Sequence, residues 1–162
     1  MIVEYDQKFD EQIKDLLVEL QNYLIDIDDW HTQVMSSEYR EKSFAMDMEE
    51  IKKQNGKIFV SVEDEIVNGV IIGVVDEKDE IDKLTNDCAK TGTVLELIVS
   101  EKSRGKGTGK KLLEKMEEYF KQINCARVNI EVFGPNKRGL EFYEKNNYTV
   151  RDIIVSKRLE NS

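Results

Sequence analysis

Between Glu96 and Phe120 the chain gathers side chains and bare backbone that can do chemistry. Lys102, Arg104, Lys106, Lys110 and Lys111 crowd a run that also holds Gly105, Gly107 and Gly109. After it, Leu112, Leu113, Met116, Tyr119 and Phe120 recur at helical spacing, which predicts an amphipathic helix starting near Gly107. Glycine in a helix costs about 1 kcal/mol relative to alanine. A helix start already carries partial positive charge, so stability alone would favour acids there. Both rules break at one place. Exposed N–H groups and cations converging on a helix start suit an anion, and Arg104, Gly105, Lys106, Gly107, Thr108, Gly109 and Lys110 therefore read as a cradle for a phosphate or diphosphate. The competing reading is a solvated lysine-rich turn.

Two common phosphate motifs are excluded by spacing. A P-loop ending at Gly109-Lys110 needs glycine where Arg104 stands and serine or threonine where Lys111 stands. A dinucleotide fingerprint from Gly105 needs glycine or alanine at Lys110, and one from Gly107 needs it at Leu112.

Arg104, Gly107 and Gly109 do fit another pattern: arginine or glutamine, two residues, glycine, one residue, glycine or alanine. This is the acyl-CoA-binding motif of the GCN5-related N-acetyltransferase family, and the stretch resembles it. Leu97-Ile98-Val99 before it and Leu112-Leu113 after it look like the strand and helix that flank that motif. Asn136, Gly139, Phe142, Tyr143 and Tyr148 resemble a second family pattern of asparagine, small residue, aromatic-tyrosine pair and closing aromatic. The two matches span about residues 93 to 150. Thr108, Gly139 and Asn147 depart from the pattern, and none of them removes a catalytic group.

The resemblance implies a transfer of acetyl from acetyl-CoA, as co-substrate, to a primary amine by direct attack, on a small molecule. Its diphosphate would rest on backbone N–H groups of Arg104 to Gly109. Its pantetheine arm would run between strands ending near Val99 and Val132, with Leu97, Ile98 and Val99 presenting backbone freed at a bulge. Tyr143 holds the family's general-acid position, a phenol that stays protonated at neutral pH, and it would also line the cofactor site. Core packing is its other reading. Glu96, beside the thioester, is the base candidate, with water as the alternative. Asn136 would contact the cofactor arm or cap a helix, and both readings stay open. No metal is implied. A non-catalytic acetyl-CoA sensor or regulatory module and a protein-amine acetyltransferase are the alternatives; a phosphoryl-transfer protein lacks a magnesium-binding set.

The elements that must hold these residues follow in order. Ile2 to Tyr5 predicts a strand, and Asp10 caps a helix whose apolar face is Ile13, Leu16, Leu17, Leu20 and Leu24. Asp26 to Val34 holds acids, Trp30 and the lone His31, read mainly as packing and solvated surface, with amine binding as the functional reading. Ser36 or Ser37 starts a second helix to about Gln54. Ile58–Val62 and Val67–Val75 form a hairpin, and Asp76 to Gly92 is a long acid-rich loop. Arg127–Val132 is a strand, Asn136 opens a helix to about Asn146, and Tyr148–Val150 and Asp152–Leu159 close the chain as strands. Order and pattern predict an α/β fold with a mixed, mostly antiparallel central sheet flanked by helices, acyl-CoA N-acyltransferase-like, in one domain over residues 1–162. The exposed final strand can pair across a homodimer.

Composition sets the frame. With 40% apolar and 35% charged residues and one proline, the 162-residue chain reads as one globular domain with its own core. A net charge of −9 opposes non-specific nucleic-acid binding and is compatible with a cationic amine. No stretch approaches the roughly 20 apolar residues of a membrane span, and no signal core follows the start, so a cytoplasmic location is expected. Cys88 and Cys125 read as reduced thiols, Cys125 at a buried strand edge.

Overall fold

The computed structural model describes residues 1–76, 78–87 and 89–159. Its strands are β1 (Ile2–Glu4), β2 (Lys57–Glu63), β3 (Ile66–Val75), β4 (Thr91–Val99) and β5 (Arg127–Ile130). Its α-helices are α1 (Asp10–Ile27), α2 (Tyr39–Lys53), α3 (Glu80–Thr85), α4 (Thr108–Gln122) and α5 (Lys137–Lys145). The sheet runs β1-β2-β3-β4-β5, antiparallel from β1 to β4, with β5 parallel to β4. This is the mixed, mostly antiparallel sheet expected. Among the described residues no helix is long and apolar enough to cross a membrane.

Each face of the sheet is covered. On one, Phe9, Ile13, Leu16 and Leu17, with Phe44 of α2, pack on Ile58, Val60, Val70, Ile72 and Ile98. On the other, Leu112, Leu113, Met116 and Phe120 of α4 pack on Phe59, Ile71 and Val94, with Phe142 and Tyr143 of α5 alongside. β3 is buried along almost its whole length, as its near-continuous apolar run requires of a central strand. Helix α4 lies so close to the sheet that a Cβ on Gly92 would stand 2.6 Å from the Phe120 ring, and one on Gly73 would stand 2.7 Å from Met116 Sδ. Arg40 bridges α2 to Asp15 at 2.8 Å and to Glu11 at 3.0 Å, and Lys14 meets Glu41 at 2.6 Å, tying the two helices on the opposite face.

Several local expectations are corrected. Asp10 does not cap α1: Asp6 caps a preceding 3₁₀ turn, Gln7–Phe9, and Asp10 accepts from Tyr5 OH at 2.5 Å. Helix α2 starts at Tyr39, because Ser36 to Glu38 spend their backbone on a turn. The acidic stretch after β3 is not all loop: Asp79 accepts from Asp82 N and caps α3. There Lys83 pairs with Glu80, and Arg127 with Asp87, so these acids find partners inside the chain. Glu77 and Cys88 lie outside the described residues. Cys125 is half-buried two residues ahead of β5, its N–H bonded to Phe120 O. β5 stops at Ile130, short of Val132. Tyr148–Val150 and Asp152–Leu159 form no strand, for among the described residues no strand backbone pairs with them.

Candidate functional site

The turn between β4 and α4 is built around two left-handed glycines, Gly105 at φ 75° and Gly107 at φ 79°. A side chain at either position would meet no atom within 4 Å, so these residues bare the backbone toward open space. Gly109 differs: a Cβ there would lie in ordinary van der Waals contact, 3.4 Å from the Phe142 ring, where α5 packs on the start of α4. Gly107 occupies the cap position of α4 and no side chain caps the helix. The first N–H groups of a helix have no intrahelical partner, so a row of donors faces outward at the end that attracts anions. Lys110 makes a long contact with Glu114, 3.8 Å, whereas Lys102, Lys106 and Lys111 have no carboxylate partner among the described residues.

Arg104 is turned inward. Its Nε donates to Val99 O at 3.0 Å and its Nη2 lies 3.4 Å from Glu19. Glu19 also accepts from Glu101 N at 2.7 Å, so α1 pins the turn from behind. The motif arginine here fixes loop shape and leaves the outward role to backbone N–H groups.

β4 carries the second part of the site. Ile72 opposes Glu96 while the next residue, Gly73, opposes Val94, so Leu95 is an extra residue and the strand bulges there. Pairing with β5 ends at Val94↔Ile130. Among the described residues the β5-facing edge of Leu95, Glu96, Leu97, Ile98 and Val99 therefore has no strand partner, the freed backbone that was expected around Ile98 and Val99.

Glu96 sits at this splay, on the face shared with Leu95 and Ile98. Burial, joined by the charge of Asp47 on α2, pushes its carboxyl up to about 8. Burial likewise raises Asp47 to about 6, and its Oδ2 is buried without a hydrogen-bond partner. Tyr39, Ser43 and Asp47 recur every four residues along α2, which stacks them on one stripe. The Tyr39 phenol is raised first by burial and then by the charges of Glu96 and Asp47. On the other side Tyr143 of α5 is pushed up to about 12 by burial and by Glu96. The charge of Glu96 is thus felt by Tyr39 on the α2 side and by Tyr143 of α5, and Glu96 feels that of Asp47. Sequence reading found Glu96 and Tyr143 and missed Asp47, Ser43 and Tyr39. The four-residue spacing was the available signal, a weak one, since polar stripes on helices are usually solvated.

Asn136 caps α5: its Oδ1 accepts from Gly139 N at 2.9 Å and from Tyr23 OH at 3.2 Å. Its Nδ2 has no protein acceptor among the described residues. Gly139 is explained by this cap, since a Cβ there would come within 2.5 Å of Asn136 Nδ2. Tyr143 packs edge-on against Phe142 and Tyr148, and Tyr148 OH donates to Glu117 at 2.8 Å. Asn147 takes the left-handed conformation expected of it, φ 68°.

Trp30 and His31 stand apart from this cluster. Trp30 is 41% exposed and His31 is exposed at φ 54°. Asp28 organises their turn: burial works against its charge, but N–H groups of Gln33, Thr32 and Trp30 and the Thr32 hydroxyl hold its carboxyl down to about 2.

Comparison with known proteins gives a consistent picture. The sequence pattern of the Acetyltransferase (GNAT) family matches residues 24–148. A glucosamine 6-phosphate N-acetyltransferase of Arabidopsis thaliana is 29% identical over 120 residues, covering 72% of this chain and 76% of that protein. Glucosamine 6-phosphate N-acetyltransferase 1 of Dictyostelium discoideum is 24% identical over 142 residues, covering 82% and 86%. In fold, a mutant of the Bacillus halodurans protein BH1408 superposes with a TM-score of 0.79 over 99% of both chains at 18% identity.

Proposed function

The chain belongs to the acetyltransferase (GNAT) family and is an acetyl-CoA-dependent N-acetyltransferase of primary amines; from that premise we propose how its own residues carry the transfer and which amines to try first. The observation that carries the proposal is the uncapped start of α4, two left-handed glycines opening on empty space, set beside a β4 edge that has lost its strand partner. The first is suited to a diphosphate and the second to an amide-bearing arm. Acetyl-CoA, when bound, supplies the activated acetyl group.

In this proposal the N–H groups of Gly105 to Gly109 hold the diphosphate, that of Arg104 being spent on Glu101 O, with Lys106 and Lys110 adding charge from the rim. The bared edge of Leu97, Ile98 and Val99 binds the arm, and a backbone N–H there stabilises charge developing on the thioester oxygen. Asn136 Nδ2 offers a further donor while Oδ1 keeps its capping role. Glu96 takes the proton from the incoming ammonium. Its raised proton affinity suits that task near neutral pH, where a base works best when its pKa lies close to the operating pH. Asp47, acting through Glu96, sharpens its hold on the proton. Tyr143, still a phenol far above neutral pH, donates to the departing thiolate. The nitrogen–carbon bond forms as the carbon–sulfur bond breaks; of the two protons the ammonium loses, Glu96 takes the first before attack and passes it to solvent, and the second leaves the tetrahedral adduct for Tyr143 once Tyr143 has protonated sulfur, which restores the phenol.

The acceptor is a small amine in this reading, with amino sugars and their phosphates tried first because of the two relatives' names. A panel of primary amines with acetyl-CoA, read as free thiol, tests the function. Saturable thiol release with at least one small amine supports it, and release no faster than in buffer with every amine opposes it.

A further inference from the structure

One edge of α1 reaches both the turn before α4 and the start of α5. Glu19 and Tyr23 stand four residues apart, about one turn of helix, and so share a stripe. Glu19 accepts from Glu101 N at 2.7 Å and lies 3.4 Å from Arg104, which ties it to the turn alone. Tyr23 reaches farther. Its ring centroid is 5.9 Å from the guanidinium carbon of Arg104 and 4.3 Å from that of Arg138, the second residue of α5. Its hydroxyl donates to Asn136 Oδ1 at 3.2 Å. One half-buried phenol thus touches the glycine-bearing turn and the cap of α5 together.

The hydroxyl bears on how the Asn136 amide faces. An asparagine amide has an acceptor oxygen and a donor nitrogen, and turning it over exchanges them. The Gly139 N–H donates to Oδ1 at 2.9 Å, so the turned amide would set one donor against another. That bond chooses the orientation. The Tyr23 hydroxyl is a second donor on the same oxygen, anchored on a different helix, and it holds the side chain in place. With Oδ1 engaged twice, Nδ2 is the polar atom of Asn136 left to meet a ligand. The ring bears on Arg138, which makes no ion pair among the described residues and rests on the aromatic face that attracts a cation.

We infer that Tyr23 is a positioning residue for the coenzyme, holding Asn136 through its hydroxyl and Arg104 and Arg138 through its ring, so that the turn before α4 and the start of α5 keep one fixed arrangement. It touches no reacting atom. The inference rests on the proposed function, in which Asn136 Nδ2 donates to the coenzyme arm. A residue that acts only by ordering such a donor removes part of the cost of binding. Its loss therefore falls on Kd and KM for acetyl-CoA and spares kcat at saturation.

Calorimetric titration of acetyl-CoA into wild type, Tyr23→Phe and Tyr23→Leu tests the inference, beside steady-state kinetics with a working amine. Tyr23→Phe keeps the ring and loses the hydroxyl; it is expected to raise Kd and KM for acetyl-CoA about fivefold, with kcat within about twofold of wild type. Tyr23→Leu loses the ring as well and is expected to raise both about twentyfold. Asn136→Ser removes Nδ2 while leaving a side chain that can cap α5, so in that background Tyr23→Phe should add no further loss of affinity. Equal Kd for wild type and Tyr23→Phe overturns the inference, as does a loss of the same size in the Asn136→Ser background. No heat with wild type overturns the proposed function and this inference with it, whereas saturable binding that Tyr23→Phe leaves unchanged overturns the inference alone.

Discussion

Glu96 and Asp47 are carboxyls that hold their protons far more tightly than their types do in water, because both are buried. A carboxyl raised from 4.5 to about 8 by burial and a like charge stabilises the fold only while protonated. That contribution is complete below about pH 4.5 and is lost as pH rises through about 8, because over this window the folded state binds the proton more tightly. The variant Glu96→Gln should therefore melt above wild type at pH 8, by about 2–4 kcal/mol, with the difference shrinking toward pH 4.5, while amine-dependent thiol release falls about 10²-fold. Denaturation at several pH values beside a turnover assay checks both halves. Asp47→Asn removes the neighbouring charge and leaves burial in place, so the rising limb of the pH profile of kcat/KM should move to lower pH. A merely structural Asp47 would cost stability and leave that limb where it was. Glu96 was legible in the sequence as a carboxylate beside the acyl-CoA motif. Asp47 was not, because nothing in a polar helix reveals which of its faces meets a strand forty-nine residues later.

At the scale of elements, the site is a matter of how near α4 can come to the sheet. Gly92 and Gly73 open the room for Phe120 and Met116, and that approach brings the start of α4 to the splayed end of β4. A methyl group at Gly92 must displace the Phe120 ring, so Gly92→Ala is expected to cost about 1–3 kcal/mol in denaturant titration. The amphipathic period of α4 and the near-continuous apolar run of β3 gave both elements away in the sequence. The strand glycines did not announce themselves, since the contact that demands them comes from a helix more than fifteen residues away. Asp10 misled for a related reason: an acid at a helix start reads as a cap, but a 3₁₀ turn before it had already supplied one.

For the whole molecule, the α/β class and a mixed, mostly antiparallel sheet flanked by helices followed from the order of strand and helix patterns, whereas the strand order came from the structure. The tail did not. Its alternation is that of a strand, but a strand exists only where backbone pairs alongside, and among the described residues none pairs with it. In the proposed function the uncapped start of α4 and the bared edge of β4 together hold acetyl-CoA. Calorimetric titration of acetyl-CoA into wild type and Gly107→Val tests it most directly, since a side chain at that left-handed position must disturb the row of donors. Saturable heat with wild type, and affinity at least about tenfold weaker in the variant, is the predicted result. No heat with wild type, or equal affinity in both, would contradict it.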